Sequence, residues 1–287
     1  DYSLIEGQEG LAQPETGNGQ FDISVVNIEE NSNRFPINYV MPPGTVREID
    51  PSTYQENELN EQSMQLKVLS LGDGEARAAY KSSLFDFRKF RRMQMDIHAE
   101  SVVGQPALAD GDVSLFVRMG SDYRSTYYEY EIPLKVSLPG NNEQLSVWPE
   151  ENFMDLALED LTNLKIERNQ LVKNSGGSIG TIYEKTSNGK KFRILGNPTL
   201  GTIRNIMIGI RNPARTALGS DDGMDKSVIV WVNELRLTDV DNKGGWAANV
   251  RASTTLADFG SISVSTNIKT AGFGSLESRI NDRLMND

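Results

Sequence analysis

Arg92-Met93-Gln94-Met95-Asp96-Ile97-His98-Ala99 places an apolar side chain at every second position and a polar one between. Successive side chains of a strand point to opposite sides, so a period of two predicts a β-strand covered on one face. The pattern recurs outward from this stretch. Downstream, Val113, Leu115, Val117 and Met119 alternate with Ser114 and Arg118, and Tyr128, Tyr130 and Ile132 alternate with Glu129 and Glu131. Pro139-Gly140-Asn141-Asn142 marks a turn, after which Leu145-Ser146-Val147-Trp148 reads as a further extended segment. Upstream, Leu66, Val68 and the pair Leu69 and Leu71 begin the alternation near Gln62. Later, Ile206, Ile208 and Ile210, then Val228, Val230 and Val232, supply two more apolar faces.

Two segments add other shapes. Glu159 to Leu171 lacks glycine and proline and carries Leu161, Leu164 and Ile166 near helical spacing, which predicts one short helix. Thr181–Thr186 and Lys190–Leu195 flank Ser187-Asn188-Gly189, and Asn-Gly accepts the positive φ values of a tight hairpin turn. About eight to ten short strands with frequent turns and one helix predict an antiparallel, jelly-roll-like β-sandwich over residues 62–240.

Residues 1–61 differ from that body. They hold twelve acidic and two basic side chains, leaving 28 acidic and 27 basic over 62–287, so the net charge of −11 sits almost wholly in this arm. Pro36, Pro42, Pro43 and Gly44 interrupt an extended stretch in which Phe35, Ile37, Tyr39 and Val40 are candidate anchors. The expectation is an acidic extended arm or linker, solvated and lying along another surface. An acidic arm on a near-neutral body gives no basic face for phosphates, which excludes a nucleic-acid role.

Residues 241–287 form a third region. Trp246, Ala248, Val250 and Ala252 alternate with Asn249, Arg251, Ser253 and Thr255; Ile262, Val264 and Ile268 alternate with Ser261, Ser263, Ser265 and Asn267. Two amphipathic strands of about ten residues, tightly joined, fit a hairpin of an outer-membrane barrel. From pattern alone they fit equally well a hairpin that extends the sandwich.

The 287 residues, 38 % hydrophobic, suffice for one large β domain with appendages. No apolar run approaches the ~18 residues that a spanning helix needs, whereas spanning strands remain open. The absence of cysteine removes disulfides, thiol nucleophiles and thiolate metal sites together. The start at Asp1 reads as an excised fragment rather than a processed chain.

Catalytic chemistry finds little support. His98 is the single histidine and falls on the polar side of its strand, where a surface position is expected. Glu129, Glu131, Glu150 and Glu151 are the carboxylates a glycosidase would draw on, but Glu129 and Glu131 fit a solvated sheet face better. Asp239-Val240-Asp241-Asn242-Lys243-Gly244 opens like a calcium loop and fails, with Lys243 at a ligand position and Val250 where the bidentate glutamate belongs. Asp110-Gly111-Asp112 and Asp221-Asp222-Gly223-Met224-Asp225 read as acidic turns. Gly189-Lys190 has Glu184 where a phosphate loop needs its first glycine. Tyr123, Tyr127, Tyr128, Tyr130 and Trp148 are expected in the core or an interface rather than as a sugar-stacking platform. No catalytic, cofactor-binding or metal-ligating residue is assigned, and no cofactor is expected.

Several strings together resemble one family. They are Asn38-Tyr39-Val40-Met41-Pro42-Pro43-Gly44, Gln62 to Leu71, Gly120-Ser121-Asp122-Tyr123 with Tyr127-Tyr128-Glu129-Tyr130-Glu131, Val147-Trp148-Pro149-Glu150-Glu151-Asn152, Leu164-Lys165-Ile166-Glu167-Arg168-Asn169 and Gly196-Asn197-Pro198. The clearest is Val230-Trp231-Val232-Asn233-Glu234-Leu235-Arg236-Leu237-Thr238, continuing through Gly244-Gly245-Trp246-Ala247-Ala248-Asn249 to Thr270-Ala271-Gly272-Phe273-Gly274. In this order the chain resembles the SprA/Sov family of type IX secretion translocons over most of residues 35–277. The resemblance implies a piece of a giant outer-membrane β-barrel that exports folded cargo and serves gliding motility. It implies an inserted sandwich followed by barrel strands, with secreted cargo and other secretion-system subunits as partners. It places this region in the outer membrane, on the extracellular side or lining the pore. The competing reading is a carbohydrate-binding sandwich of an extracellular protein.

Overall fold

The alternating segments pair across long sequence distances, and the pairing decides the architecture. A computed structural model describes residues 3–6, 19–47, 49, 58–215, 222–240, 247–256 and 260–269. One sheet has seven strands: β1 (Ser3–Glu6), β4 (Ala76–Phe85), β11 (Ile203–Arg211), β6 (Ser114–Asp122), β7 (Thr126–Pro133), β10 (Lys190–Leu195) and β9 (Tyr183–Ser187), in that order. The other has five: β2 (Gln20–Asn27), β3 (Gln62–Leu71), β12 (Lys226–Val240), β5 (Phe90–Ser101) and β8 (Met154–Ala157). The chain divides into two compact units, Asp1–Thr238 and Asp239–Asp287.

Within the first unit, eight strands nest as antiparallel pairs. β3 pairs with β12, β4 with β11, β5 with β8 and β6 with β7, so each successive pair lies inside the previous one along the chain. The pairs alternate between the two sheets. Their inner faces form one core in which Leu66, Val68, Met93, Met95, Val228 and Val230 meet Leu115, Val117, Tyr128, Tyr130, Ile194 and Ile210. These are the apolar positions of the period-two segments. Burying each such side chain is worth about 1.5–3 kcal/mol, which is why the register holds them inward.

The helix α3 (Leu158–Ser175) and the β9–β10 hairpin are inserted between β8 and β11. Glu159 and Asp160 lie in the first turn of α3, where negative charge is favoured. Gly176, at φ 69°, ends it by donating to the Val172 carbonyl. The helix thus runs four residues past Leu171, through Val172-Lys173-Asn174-Ser175, a turn with one apolar residue and so no apolar period to read. Leu161, Leu164 and Arg168 face inward, whereas Ile166 is half exposed. Asn188 and Gly189 both take positive φ in the β9–β10 turn, as Asn-Gly demands.

Two expectations need correction. Leu145–Trp148 is not a strand: α2 (Gln144–Val147) is a single helical turn, closed by Val147 donating to Glu143 and Trp148 to Gln144. Among the described residues, the acidic arm not only lies along the sandwich but also adds strands to it. β2 pairs with β3 from Gln20↔Leu69 to Asn27↔Gln62, followed by the short turn α1 (Ile28–Asn31). Ile37 and Tyr39 are then buried on the outer face of the five-stranded sheet, with Val26, Val147, Trp148, Ile229 and Trp231. Phe35, expected as an anchor, is 78 % exposed. Residues 1–2, 7–18, 48 and 50–57 of that region lie outside the described residues.

The second unit contains one antiparallel hairpin, β13 (Ala247–Leu256) and β14 (Gly260–Lys269). Its register opposes Ala248 to Ile268 and Val250 to Thr266 on one face, and Asn249 to Asn267, Arg251 to Ser265 and Ser253 to Ser263 on the other. Val250, Val264 and Ile268 are 59, 61 and 51 % exposed. Trp246 and the side chains of Ala252, Thr255, Ser261 and Ile262 lie outside the described residues.

Candidate functional site

Two of the carboxylates considered for hydrolysis, Glu129 and Glu131, lie in the outer face of the seven-stranded sheet, and there they are not solvated. Glu129 stands opposite Arg118 on β6 and Arg193 on β10. Arg118 donates to Glu129 through Nε at 2.7 Å and Nη2 at 2.6 Å; Arg193 donates at 2.7 Å and Arg211 at 3.0 Å. Glu131 accepts from the same Arg193 and Arg211 and from the Ser114 hydroxyl at 2.8 Å. Aromatic rings lie against the cluster: the Arg118 guanidinium is 4.0 Å from the Tyr127 ring centre, and that of Arg211 is 4.6 Å from Phe116. Both glutamates are buried.

Their electrostatics point away from acid catalysis. Burial by itself pushes the Glu129 carboxyl up, but Arg118, Arg211 and Arg193 outweigh it and hold the group well below the usual carboxylate range. Glu131 is likewise lowered, by Arg211 and Arg193 against its burial. A glycosidase's general acid needs a raised value and an open cleft. Glu129 and Glu131 therefore serve as structural counter-charges. Of the other two carboxylates, Glu151 pairs with Lys135 at 2.7 Å, and Glu150 is exposed.

His98 also departs from expectation. It is fully buried, because the Ile37–Tyr39 segment and the Val147–Trp148 turn cover the outer face of β5. Its ring stacks on Trp231 with centroids 3.9 Å apart, Nδ1 lies 2.6 Å from the Val147 carbonyl, and Nε2 is 3.6 Å from Glu100. Glu100 also pairs with Arg34. Burial alone would raise its pKa; bonding to His98 and Arg34 lowers it overall. Ser137 Oγ is 3.3 Å from His98 Nδ1, which gathers a serine, a histidine and a glutamate. The hydroxyl, however, donates to the Ser146 carbonyl at 2.8 Å, and all three residues are buried. A nucleophile needs a base to accept its proton and a substrate to reach it, so this trio fastens layers together. Nothing in the local alternation signals the covering layer.

The remaining candidates resolve as supports. Asp110 accepts from the Val136 N–H at 2.8 Å, and Asp112 from the Ala109 N–H at 3.0 Å. Asp112 and Asp222 both accept from Lys226 Nζ, at 3.1 and 2.8 Å. Asp221 and residues 241–244 lie outside the described residues, and among the described residues no three His, Cys, Asp or Glu side chains gather in a metal-holding group. Tyr127, Tyr128, Tyr130 and Trp148 are buried, and Tyr123 packs against Tyr80 at 5.7 Å. They form no exposed stacking surface for a sugar.

The geometry offers surfaces on a packed two-sheet frame. A family model described as SprA_N, motility related/secretion protein, matches residues 5–287. No curated protein matches the chain.

Proposed function

This chain belongs to the SprA_N family of motility-related and secretion proteins, and on that premise we propose that it is a structural and interaction module of an outer-membrane protein-translocation channel. It acts through surfaces rather than by catalysis. In this reading the first unit is a jelly-roll-like sandwich, since β3-β12-β5-β8 and β4-β11-β6-β7 follow the two-sheet order of a double Greek key. The channel is a type IX secretion translocon that also serves gliding. Its partners are secreted cargo proteins and further secretion-system subunits.

The observation that carries the reading is the β13–β14 hairpin. Each strand has ten residues, the length that crosses a bilayer at a tilt. One face exposes Val250, Val264 and Ile268, while the other carries Asn249, Arg251, Ser253, Ser263, Ser265 and Asn267. Apolar outside and polar inside is the pattern of a barrel wall. The sandwich then stands on the extracellular side or lines the pore, because such barrels carry their larger insertions outside.

This chain contributes no native cysteine, so an introduced one is unique within it. In the parent protein in outer-membrane vesicles, a polarity-sensitive dye at Val250→Cys or Val264→Cys should report an apolar setting and be quenched by spin-labelled lipid. The same dye at Arg251→Cys or Ser265→Cys should be quenched by an aqueous agent instead. Equal aqueous quenching at all four positions would remove the hairpin from the membrane.

A further inference from the structure

Strand β12 outruns one of its neighbours. Its ladder with β3 runs from Lys226↔Leu71 to Val232↔Met64, and β3 starts two residues beyond, at Gln62. On its other edge β12 continues beside β5, where Arg236 donates to Asp96 at 2.7 Å and Thr238 to Gln94 at 3.3 Å. Leu235–Thr238 therefore has a strand along one edge and, among the described residues, none along the other.

The space beside that edge is open on both faces. Between the sheets lies a cavity of about 300 Å³ lined mainly by Met64, Phe85, Ile206, Ile208, Leu235 and Leu237, with Lys81 also in its wall. A second, about 380 Å³, shares Met64, Ile208 and Leu235 with it. On the outer side a third, about 350 Å³, is lined by Thr45, Arg47, Asn60, Glu61, Glu234 and Arg236. The first cavity is mainly apolar, the second mixes Ile23, Met95 and Val232 with Ser24, Gln62 and Asn233, and the outer one is mainly polar.

We propose that the Leu235–Thr238 edge is a β-augmentation site for an extended partner segment whose side chains alternate apolar and polar. The backbone N–H and C=O groups along an open edge need hydrogen-bond partners. An acyl chain would fill the inner cavity and leave them unmet. An added strand pairs them in continuity with the β3–β12 ladder, and its side chains point alternately to the two faces. The inner cavity takes the apolar set and the outer cavity the polar set. Four residues of contact span about 13 Å, enough for register but for modest affinity. This inference stands on the sandwich alone and does not depend on the hairpin's place in a membrane.

Phage-displayed random octapeptides selected on the immobilised chain test it. Enriched peptides should alternate apolar and polar residues, and N-methylation at alternate positions should weaken binding at least tenfold. Leu235→Lys or Leu237→Lys in the chain should do the same, whichever of the two keeps the wild-type melting curve. Amide exchange over Leu235–Thr238 should slow on binding. Failure to enrich any octapeptide overturns the proposal, as do binders without alternation or indifferent to N-methylation and to both substitutions. Protection of this edge in a concentration-dependent dimer of the chain would assign the site to a second copy and overturn it as well.

Discussion

Arg118 and Glu129 face each other across the β6–β7 ladder, Nη2 2.6 Å from Oε2, with the arginine 4 % exposed and the glutamate wholly buried. The same carboxylate takes Arg193 from β10 and Arg211 from β11, so one glutamate ties four strands of the sheet. Buried charge is costly unless it is paired, and breaking such a pair leaves its partners stranded.

Glu129→Ala should therefore destabilise the sandwich by about 3–5 kcal/mol, because three guanidinium groups lose a shared partner. Urea unfolding followed by tryptophan fluorescence reads the change. A loss under about 1 kcal/mol, the size expected of a surface pair, would mean that water reaches the cluster.

The depressed Glu129 and Glu131 carboxyls set a pH dependence. A carboxyl lowered in the folded state adds stability above its unfolded value of about 4.3, and that stability is lost as pH falls through the folded value. Glu61 works in the opposite sense: burial raises it, against bonds from Tyr39 and Asn233. Stability should fall below the usual carboxylate range, while wild type minus Glu61→Gln should become more favourable as pH drops from 7 through the raised value. A pH-independent difference between the two proteins would contradict this assignment.

Gly209 lies between Ala78 and Phe116 in the ladder. A Cβ there would stand 2.5 Å from Phe116 Cζ and 2.7 Å from the Arg77 carbonyl oxygen. Gly209→Ala should cost about 1–3 kcal/mol through overpacking. Phe116→Leu in the same chain should recover part of that cost. Thermal melts of the single and double variants decide it; a neutral Gly209→Ala would show that both the ring and the β4 backbone yield freely.

Tyr39 tests whether the N-terminal segment is part of the fold. Its ring packs 5.4 Å from Trp231, and its hydroxyl donates to Glu61 at 2.7 Å, with Ser63 Oγ also 2.7 Å away. Tyr39→Ala should lose about 3–5 kcal/mol and Tyr39→Phe about 1–2 kcal/mol. If both were silent in a denaturant titration, the segment would be a detachable arm.

A chain ending at Val240 should keep one cooperative melt, since the sandwich core is complete upstream of the hairpin unit. Calorimetry gives the answer. Loss of cooperativity would make the hairpin part of the sandwich's stability.

Much of the inner core was legible in advance, and the outer faces were not. Met93, Met95, Ile97 and Ala99 face the core as their spacing requires, while His98 and Glu100 on the other side of β5 are buried too. The covering residues Ile37, Tyr39 and Trp148 come from distant parts of the chain, so nothing within β5 announces them. Glu129 and Glu131 were misplaced for a related reason. Their counter-charges sit on β6, β10 and β11, and charged alternation alone reads as contact with water. Leu145–Trp148 alternates over four residues, too few to separate a strand from one helical turn.

Local order was written in the sequence: where the chain alternates, where Asn188-Gly189 reverses it, and which side of each strand must leave water. Those features depend on neighbours two to four residues apart. The tertiary structure alone decided which strands pair, which polar faces become interior, and where β12, among the described residues, runs on without a neighbour along one edge. Such outcomes follow from contacts between residues tens to more than a hundred positions apart, and one strand's periodicity says which side is apolar without saying what will cover the other.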